Sequence, residues 1–208
     1  MKIELTAAQV GVLLQFAAKH DVRAYLNGIC IQVDGIKGFA IATDGAILGV
    51  FRLHLPEPLE KTEVIIPRYI LENAKCTATA ANIVINADPV PASDGTRAIS
   101  VQQGATEWRG TSSPGPFPYW KRVIPEKVSG EAANLSGIVQ EKLIKAAKII
   151  QGNKNPLVGL GQNGESTSMI DLGDPDFFGV AIPVRLGGPC KKGERAVNVP
   201  THRPEWIC

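Results

Sequence analysis

Short alternating runs of apolar and polar residues dominate the first part of the chain. Val22–Phe51 alternates in this way, and Gly28, Asp34-Gly35 and Asp44-Gly45 interrupt it. An Asp-Gly pair readily supplies the positive φ angles that a tight turn requires. The pattern therefore predicts a meander of antiparallel strands joined by turns over residues 22–51.

A helix with an apolar face precedes this meander. Lys2–Leu5 alternates as a short strand, and Thr6–Gln9 has the spacing of a capping box that begins a helix. The helix is expected to end near residues 19–21. Its apolar stripe follows the spacing i, i+3, i+4, i+7 and consists of Val10, Leu13, Leu14 and Ala17. Val12 and Phe16 fall on the opposite face, so we expect a partner surface to cover that side.

The rest of the chain repeats the order strand, helix and three strands. A turn-rich connection over residues 55–61 is expected to lead into the second unit. The elements predicted for that unit are the strand Glu63–Pro67, the helix Arg68–Lys75 and the strands Asn82–Ala87, Arg97–Gln102 and Ala105–Gly110. Those of the third unit are the helix Ser136–Gln151 and the strands Leu157–Leu160, Ser168–Leu172 and Phe178–Val184. The pattern predicts an α+β fold of repeated β-α-β-β-β units, with antiparallel sheets and helices on one face.

Composition limits the kinds of protein that the chain can be. Its 208 residues carry a net charge of +2 and are 44% hydrophobic, as in ordinary globular proteins. A net charge this small does not by itself indicate nucleic acid binding, so any basic surface must be local. No apolar run approaches the roughly 18 residues of a membrane span, and the first residues lack the apolar core of a signal peptide. We therefore expect a cytoplasmic protein that does not bind a membrane.

Motifs for metal or nucleotide binding are weak. Cys190, His202 and Cys208 do not have the spacing of a structural zinc site. Cys30 lies between two isoleucines and is interpreted as a buried, reduced thiol. Gly159–Gly164 matches G-x-G-x-x-G, but a strand pattern rather than a helix follows it, which favours a hairpin over a dinucleotide site.

An acidic turn is the remaining candidate for chemistry. Asp171, Asp174 and Asp176 lie close together but lack the spacing and the downstream glutamate of a calcium loop, so turn formation explains them better. The three histidines have no neighbouring nucleophile in a catalytic motif. The sequence thus predicts a protein that is not an enzyme and uses no cofactor. A small metal-dependent enzyme built on the acidic turn is a distant alternative.

Several passages together resemble one protein family. Val22–Ile29, Ile41–Leu48 and Phe117–Pro125 are similar in order and spacing to the middle domain of the bacterial DNA polymerase III beta subunit, the sliding clamp. Val64–Arg68 agrees with this order, and Phe178–Leu186 resembles the C-terminal end of the clamp. The resemblance covers about residues 1–186, and it is the constellation of passages that makes it specific.

The resemblance implies a division of the chain. Residues 1–125 are expected to form a clamp-like domain, and residues 126–186 a shortened half-domain similar to part of the last clamp domain. Residues 187–208 are rich in Gly, Pro, Lys and Arg and are expected to be a basic, flexible tail. Clamp rings contain twelve strand–helix–strand units, so chains with three units each would need four copies to close a ring. We therefore expect the protein to self-associate.

In this family a hydrophobic groove between the middle and last domains receives a short peptide from polymerases and from the clamp loader. The resemblance implies such a groove here, with an apolar lining and one cation. The matching positions are Leu26, Thr43, Gly45, Leu48, Pro118, Arg122, Val123, Ile182 and Val184. Ala46-Ile47 replaces the His-Arg usually found in the groove, which changes its polar rim. Plain core packing is the other interpretation of these residues.

The family also threads double-stranded DNA through a hole lined by helices with basic faces, and such contacts to phosphates carry no sequence preference. The positions that match the DNA-contacting segment, or that form a basic stripe on the third helix, are Lys19, His20, Arg23, Tyr25, Lys142, Lys145 and Lys148. A solvated helix face is the other explanation of the stripe, which Glu141 interrupts.

The resemblance implies a non-catalytic processivity factor of DNA replication that self-associates and offers a groove to short peptides of polymerase or clamp-loader type. The alternative is a clamp-derived interaction module that binds replication proteins without encircling DNA.

Overall fold

The computed structural model of the protein describes residues 1–74 and 81–185. The strands in these residues are β1 Lys2–Thr6, β2 Gly28–Thr43, β3 Ile47–Pro67, β4 Asn82–Ala87, β5 Ala98–Gln103, β6 Thr106–Thr111, β7 Gly159–Gly161, β8 Ser168–Asp171 and β9 Phe177–Ala181. The α-helices are α1 Ala7–Phe16, α2 Arg68–Asn73 and α3 Gly137–Gln151. Their order agrees with the predicted pattern except between α1 and α2, where two long strands replace the predicted meander and the separate strand Glu63–Pro67.

The strands form two antiparallel sheets. One sheet has the order β1-β4-β5-β6, and the other has the order β2-β3-β9-β8-β7. In the second sheet β3 pairs with β2 on one side and with β9 on the other, where Leu48 lies opposite Val180. The pairing of β3 with β9 brings the third unit against the first. The predicted α+β class with antiparallel sheets is confirmed.

Local signals fix the ends of the two longer helices. Thr6 and Gln9 form the predicted capping box, in which Thr6 N donates to Gln9 Oε1 at 2.9 Å and Gln9 N donates to Thr6 Oγ1 at 3.1 Å. Ser136 accepts from the N–H of Val139 at the start of α3, and Gly152 ends that helix with a left-handed φ of 63°. The helices α1 and α3 pack against each other and contribute buried side chains to the main hydrophobic core.

The β2–β3 region differs from the predicted meander. Asp44-Gly45 lies at the turn between β2 and β3, but Asp34-Gly35 lies inside β2. Gly35 has a φ of 62°, and the pairing register shifts on both sides of it, so this pair forms a bulge rather than a turn. The predicted connection over residues 55–61 is also wrong, because these residues belong to β3. Proline has no N–H group to donate to a neighbouring strand. Pro56 and Pro58 are accommodated in β3 because they lie where the pairing with β2 is irregular, opposite the bulge.

The expectation that a partner surface covers Val12 and Phe16 is wrong, because the chain itself buries both side chains completely. The ring of Phe16 lies 5.6 Å from the ring of Phe177, measured between centroids. A Cβ atom added at Gly49 would come within 2.9 Å of the Phe16 ring. The absence of a side chain at Gly49 therefore allows α1 to pack closely on β3.

Arg68 binds the backbone at the end of α1. Ala17 has an extended backbone with ψ of 145°, so the helix stops before the predicted residues 19–21. The Nη1 of Arg68 donates to the carbonyl oxygens of Leu14, Ala17 and Ala18 at 2.8, 3.2 and 3.4 Å. These bonds satisfy carbonyl groups that a helix leaves unpaired at its C-terminus.

The remaining expectations concern a thiol, a glycine motif and the far end of the chain. Cys30 is a buried free cysteine, and the G-x-G-x-x-G segment lies in a β7–β8 hairpin, as predicted. The tail predicted for residues 187–208 lies outside the described residues, and so do Cys190, His202 and Cys208, which were considered as zinc ligands. The division near residue 125 remains a prediction. Within the described residues, no helix is both long and apolar enough to cross a membrane.

Candidate functional site

An apolar cavity of about 430 Å³ lies where the β2–β3 turn, the segment before α3 and the end of β9 meet. Its lining consists of Arg23, Leu26, Thr43, Gly45, Ala46, Ile47, Leu48, Pro118, Tyr119, Trp120, Arg122, Val123, Thr167, Val180 and Ile182. Eight of the nine positions that the resemblance assigns to a groove are in this lining. The ninth, Val184, is not in it, and its N–H donates to the carbonyl oxygen of Asn134 at 2.6 Å.

Hydrogen bonds of the β2–β3 turn hold one wall of the apolar cavity. Thr43 Oγ1 donates to the carbonyl oxygen of Ile47 at 2.7 Å. Asp44 Oδ1 accepts from the N–H groups of Ala46 and Ile47 at 2.8 and 3.0 Å. The carbonyl oxygen of Ala46 accepts from the N–H of Ile182 at 2.8 Å, which ties the turn to the end of β9.

A chain of hydrogen bonds fixes the opposite wall. Trp120 Nε1 donates to Gln32 Oε1 at 2.8 Å, and Gln32 Nε2 donates to Glu63 Oε2 at 2.7 Å. The other carboxylate oxygen of Glu63 accepts from the N–H of Phe117 at 2.7 Å. The Trp120 ring packs edge-on against Phe39 with 5.4 Å between centroids. These contacts hold the proline-rich segment before α3 against β2 and β3.

Some residues of the lining were not among the predicted positions. Trp120 lies inside the passage Phe117–Pro125 that carries the resemblance, so its place could have been found from that passage. Val180 likewise lies inside the passage Phe178–Leu186 that carries the resemblance, and it enters the lining because it pairs with Leu48 across two distant strands. Thr167 precedes β8, and no motif marks it.

The rim of the apolar cavity combines exposed apolar side chains with cations. Arg23 donates from Nε and Nη2 to the two carboxylate oxygens of Asp21, both at 2.9 Å. This hydrogen bonding lowers the pKa of Asp21 to about 2 and raises the pKa of Arg23. Arg122 is exposed at the same rim. The exposed apolar side chains there are Tyr119, Val123 and Ile182.

A second depression, the lysine cleft, lies between the end of α1 and the first turns of α3. Its lining consists of Leu14, Gln15, Ala17, Ala18, Lys19, His20, Asp21, Asp44, Ile138, Glu141, Lys142 and Lys145. Four of the seven positions assigned to DNA are therefore together here. Of the other three, Arg23 lines the apolar cavity, Tyr25 packs against the hydrophobic cluster around Cys30, and Lys148 is exposed farther along α3.

The charges in the lysine cleft are largely paired with one another. Lys142 Nζ lies 2.5 Å from Asp44 Oδ2, and their side chains are only 26% and 16% exposed. Lys145 Nζ lies 2.7 Å from Glu141 Oε1, and this contact lowers the pKa of Glu141. Lys142 and Lys145 are thus each paired with a carboxylate of the lining, and the third carboxylate, Asp21, is bound by Arg23. The lysine cleft is not strongly cationic while these pairs persist.

The acidic turn is engaged by other protein groups. The carboxylate of Asp176 accepts from Arg52 Nη2 at 2.6 Å and lies 2.8 Å from His54 Nε2. The hydrogen bond with His54 and those from Arg52 lower the pKa of Asp176. Asp171 and Asp174 accept backbone N–H groups of the turn itself. In the described part of the chain, no group of three or more His, Cys, Asp or Glu side chains is arranged to hold a metal ion.

Comparison with known proteins points to one family. The beta sliding clamp of Vibrio cholerae is 28% identical over 134 residues, which are 62% of this chain and 35% of that protein. A putative DNA polymerase III beta subunit from Eubacterium rectale matches with a TM-score of 0.63 at 11% identity, over 89% of this chain and 66% of that one. A sliding clamp from Pseudomonas aeruginosa, bound to griselimycin, matches with a TM-score of 0.61 at 17% identity over the same shares. No protein-family model matches the chain.

The sequence comparison and the structure comparison point to the same family, but each match covers only part of the related protein. The chain spans about a third of the length of the curated relative and about two thirds of the solved chains. The predicted resemblance to the clamp family and the predicted clamp-like fold are both confirmed.

Proposed function

We propose that this chain, a divergent relative of the bacterial beta sliding clamps, is a cytoplasmic, non-catalytic DNA replication factor that binds short peptides of partner proteins in the apolar cavity. The observation that supports this function is the convergence of eight predicted groove positions, from separate segments of the chain, on one cavity. Residues that only filled the core would be covered. Tyr119, Val123 and Ile182 are instead 74%, 40% and 49% exposed at its mouth.

The lining favours a peptide with apolar anchors and a nearby negative charge. Leu26, Leu48 and Val180 are buried and form the apolar floor. Arg122 adds a cation at the rim, which suits a carboxylate of the ligand. A few polar groups around an apolar floor are typical of sites that recognise short motifs. In the family an arginine usually occupies the position of Ile47. Ile47 is buried, so it contributes apolar packing here rather than a charge.

Peptide selection tests this function. Peptides selected from a random phage-displayed library against the full chain should bind wild type measurably in calorimetry. The Val123→Asp variant should bind the same peptides about tenfold more weakly, because it places a charge beside the apolar floor. The variant should fold normally, since Val123 is 40% exposed.

Val90→Asp is the matched control. Val90 is 71% exposed in the loop between β4 and β5 and is not part of the cavity lining, so its substitution should leave peptide affinity unchanged. Equal affinity of the two variants for the selected peptides would show that the apolar cavity is not the peptide site.

The nucleic-acid part of the proposal concerns the lysine cleft. Self-association would place lysine clefts of several copies around double-stranded DNA, with phosphate contacts independent of sequence. Lys19, His20, Lys142 and Lys145 lie together there, which supports this role. The pairing of the cleft lysines with carboxylates favours the second candidate, an interaction module that binds replication proteins without encircling DNA.

Solution mass distinguishes these two functions. Light scattering over a range of protein concentrations should give a stable closed oligomer for a clamp, and that oligomer should be retained on circular DNA but not on linear DNA. A strict monomer at high concentration would exclude encirclement by the isolated protein and leave the interaction module. Fluorescence anisotropy of a labelled duplex at several salt concentrations then reports the phosphate contacts.

A further inference from the structure

Asp44 lies between the two candidate sites and contacts both. Its Oδ1 accepts the N–H groups of Ala46 and Ile47, which line the apolar cavity. Its Oδ2 lies 2.5 Å from the Nζ of Lys142, which lines the lysine cleft. One carboxylate therefore holds the turn of the cavity and a cation of the cleft at the same time.

We propose that Lys142 is a positioning residue for the apolar cavity, and that a polyanion bound in the lysine cleft competes with Asp44 for this lysine and so loosens the turn Thr43–Ile47. The inference rests on the proposed binding of DNA in the cleft and of peptides in the cavity. It gives Lys142 a role besides phosphate contact and makes the two sites antagonistic.

The competition follows from the chemistry of the pair. An ammonium group is a compact point charge on a flexible stem and can bind either a carboxylate or a phosphate, so a phosphate near Lys142 competes with Asp44 for it. Asp44 Oδ2 then has no cation to hold it, so the carboxylate gains rotational freedom and its Oδ1 spends less time on the N–H groups of Ala46 and Ile47. Because Ala46 also binds Ile182, the loosening extends to the end of β9.

Lys145 provides a contrast within the same cleft. It lies on the same helix and in the same lining, but it pairs with Glu141 one turn earlier on α3. This pair does not involve the turn Thr43–Ile47. A polyanion that draws Lys145 away from Glu141 therefore leaves the cavity wall unaffected, so Lys145 is a matched control for Lys142.

Coupling between two binding sites is reciprocal. A peptide that needs the ordered turn must weaken DNA binding by the same factor by which DNA weakens peptide binding. We expect a factor of about five, at the lower end of typical coupling between sites. The factor is modest because the Lys142–Asp44 pair is only partly shielded from solvent.

Hydrogen exchange of the turn tests the coupling. The full chain is mixed with a saturating amount of duplex DNA of arbitrary sequence at low ionic strength, and amide exchange of residues 43–48 is measured by mass spectrometry. DNA should raise the exchange rate of this segment about fivefold in wild type. In calorimetry, the same DNA should weaken the binding of the selected peptides to the apolar cavity by the same factor.

Three variants separate positioning from simple structural support. Lys142→Met should give fast exchange of the turn without DNA and no further change when DNA is added. Lys142→Arg keeps a cation beside Asp44 and should restore the response to DNA. Lys145→Met should respond to saturating DNA as wild type does.

The outcomes that overturn the coupling differ from those that overturn the proposed function. If DNA binds and the exchange of residues 43–48 does not change, the coupling is wrong while DNA binding stands. If duplex DNA does not bind at all, both the coupling and the nucleic-acid part of the function are wrong, and peptide binding is unaffected. A response of equal size in Lys142→Met would also overturn the coupling.

Discussion

The apolar cavity and the lysine cleft have the same volume, about 430 Å³ each, and share the turn Thr43–Ile47 as a boundary, yet they are built differently. The cavity is formed by core side chains and by hydrogen bonds of the backbone. The cleft owes its charge to side chains that pair with one another near the surface. Folding therefore fixes the shape of the cavity, whereas reversible ion pairs determine how much charge the cleft offers.

This difference changes what a substitution does at each place. Removing a buried side chain of the cavity wall leaves a void in the core and costs stability. Removing Lys145 of the cleft breaks an exposed ion pair that contributes little to stability but changes the electrostatic potential that a ligand meets. The two sites can therefore be distinguished by comparing stability with binding.

The largest effect is expected for Trp120→Ala. The Trp120 side chain is 8% exposed, packs against Phe39 and donates to Gln32. Its removal should lower the free energy of unfolding by about 3–5 kcal/mol, since a large core side chain is lost. Urea unfolding followed by circular dichroism measures this change.

Lys145→Met is the comparison in the cleft. Its side chain is 57% exposed and its pair with Glu141 is a surface pair, so the free energy of unfolding should stay within about 0.5 kcal/mol of wild type. Similar losses for Trp120→Ala and Lys145→Met would show that the cavity wall is not part of the stable core.

An intermediate loss of stability is expected for Arg68→Met, which removes side-chain contacts with the end of α1. The guanidinium of Arg68 binds three carbonyl oxygens at the end of α1 and is buried. Without it these carbonyls lose their partner, so we expect a loss of about 2–3 kcal/mol in the free energy of unfolding. Amide exchange should also rise over residues 17–21, which carry the cleft residues Lys19 and His20.

Glu72→Gln controls for the loss of an ion pair alone. Glu72 is 40% exposed and binds Arg68 Nε at 2.8 Å. This variant removes the pair but keeps the guanidinium on the carbonyl oxygens of α1, so the loss should be under about 1 kcal/mol. If Glu72→Gln costs as much as Arg68→Met, the carbonyl contacts are not what stabilises the end of α1.

The sequence predicted most of the elements of this fold, and its failures have physical causes. The capping box at Thr6 and the helix capped by Ser136 depend on neighbouring residues, so local patterns predicted both correctly. Asp34-Gly35 has the composition of a turn, but its register with a long partner strand makes it a bulge. The partner of a strand is not encoded locally, so the sequence could not distinguish these two structures.

The same reasoning applies to the candidate sites. Leu26, Leu48 and Val123 could be placed in one lining because whole passages resemble a family of known architecture. The pair between Lys142 and Asp44 joins residues 98 positions apart and has no motif, so it could not be predicted. Charge patterns in a sequence show which side chains are ionised, but not which opposite charge is within reach.

The smallest effect concerns Asp21, which lines the cleft and binds Arg23 of the cavity lining. The hydrogen bonds from Arg23 hold the pKa of Asp21 at about 2, below its ordinary value of 3.8. A depressed carboxylate pKa means that the pair stabilises the folded state fully above pH 3.8 and loses this contribution as the pH falls towards 2. A carbon-13 NMR titration of the Asp21 carboxylate should give a midpoint of about 2.

Two arginine variants show whether Asp21 belongs to the boundary between the sites. Arg23→Met should return the Asp21 midpoint towards 3.8, because the donor of both hydrogen bonds is lost. Arg122→Met removes the other cavity arginine and should leave the midpoint at about 2. A wild-type midpoint near 3.8 would mean that Arg23 is free to turn towards a ligand of the cavity. Arg23 and Asp21 would then not hold the apolar cavity and the lysine cleft together as their hydrogen bonds in the structure indicate.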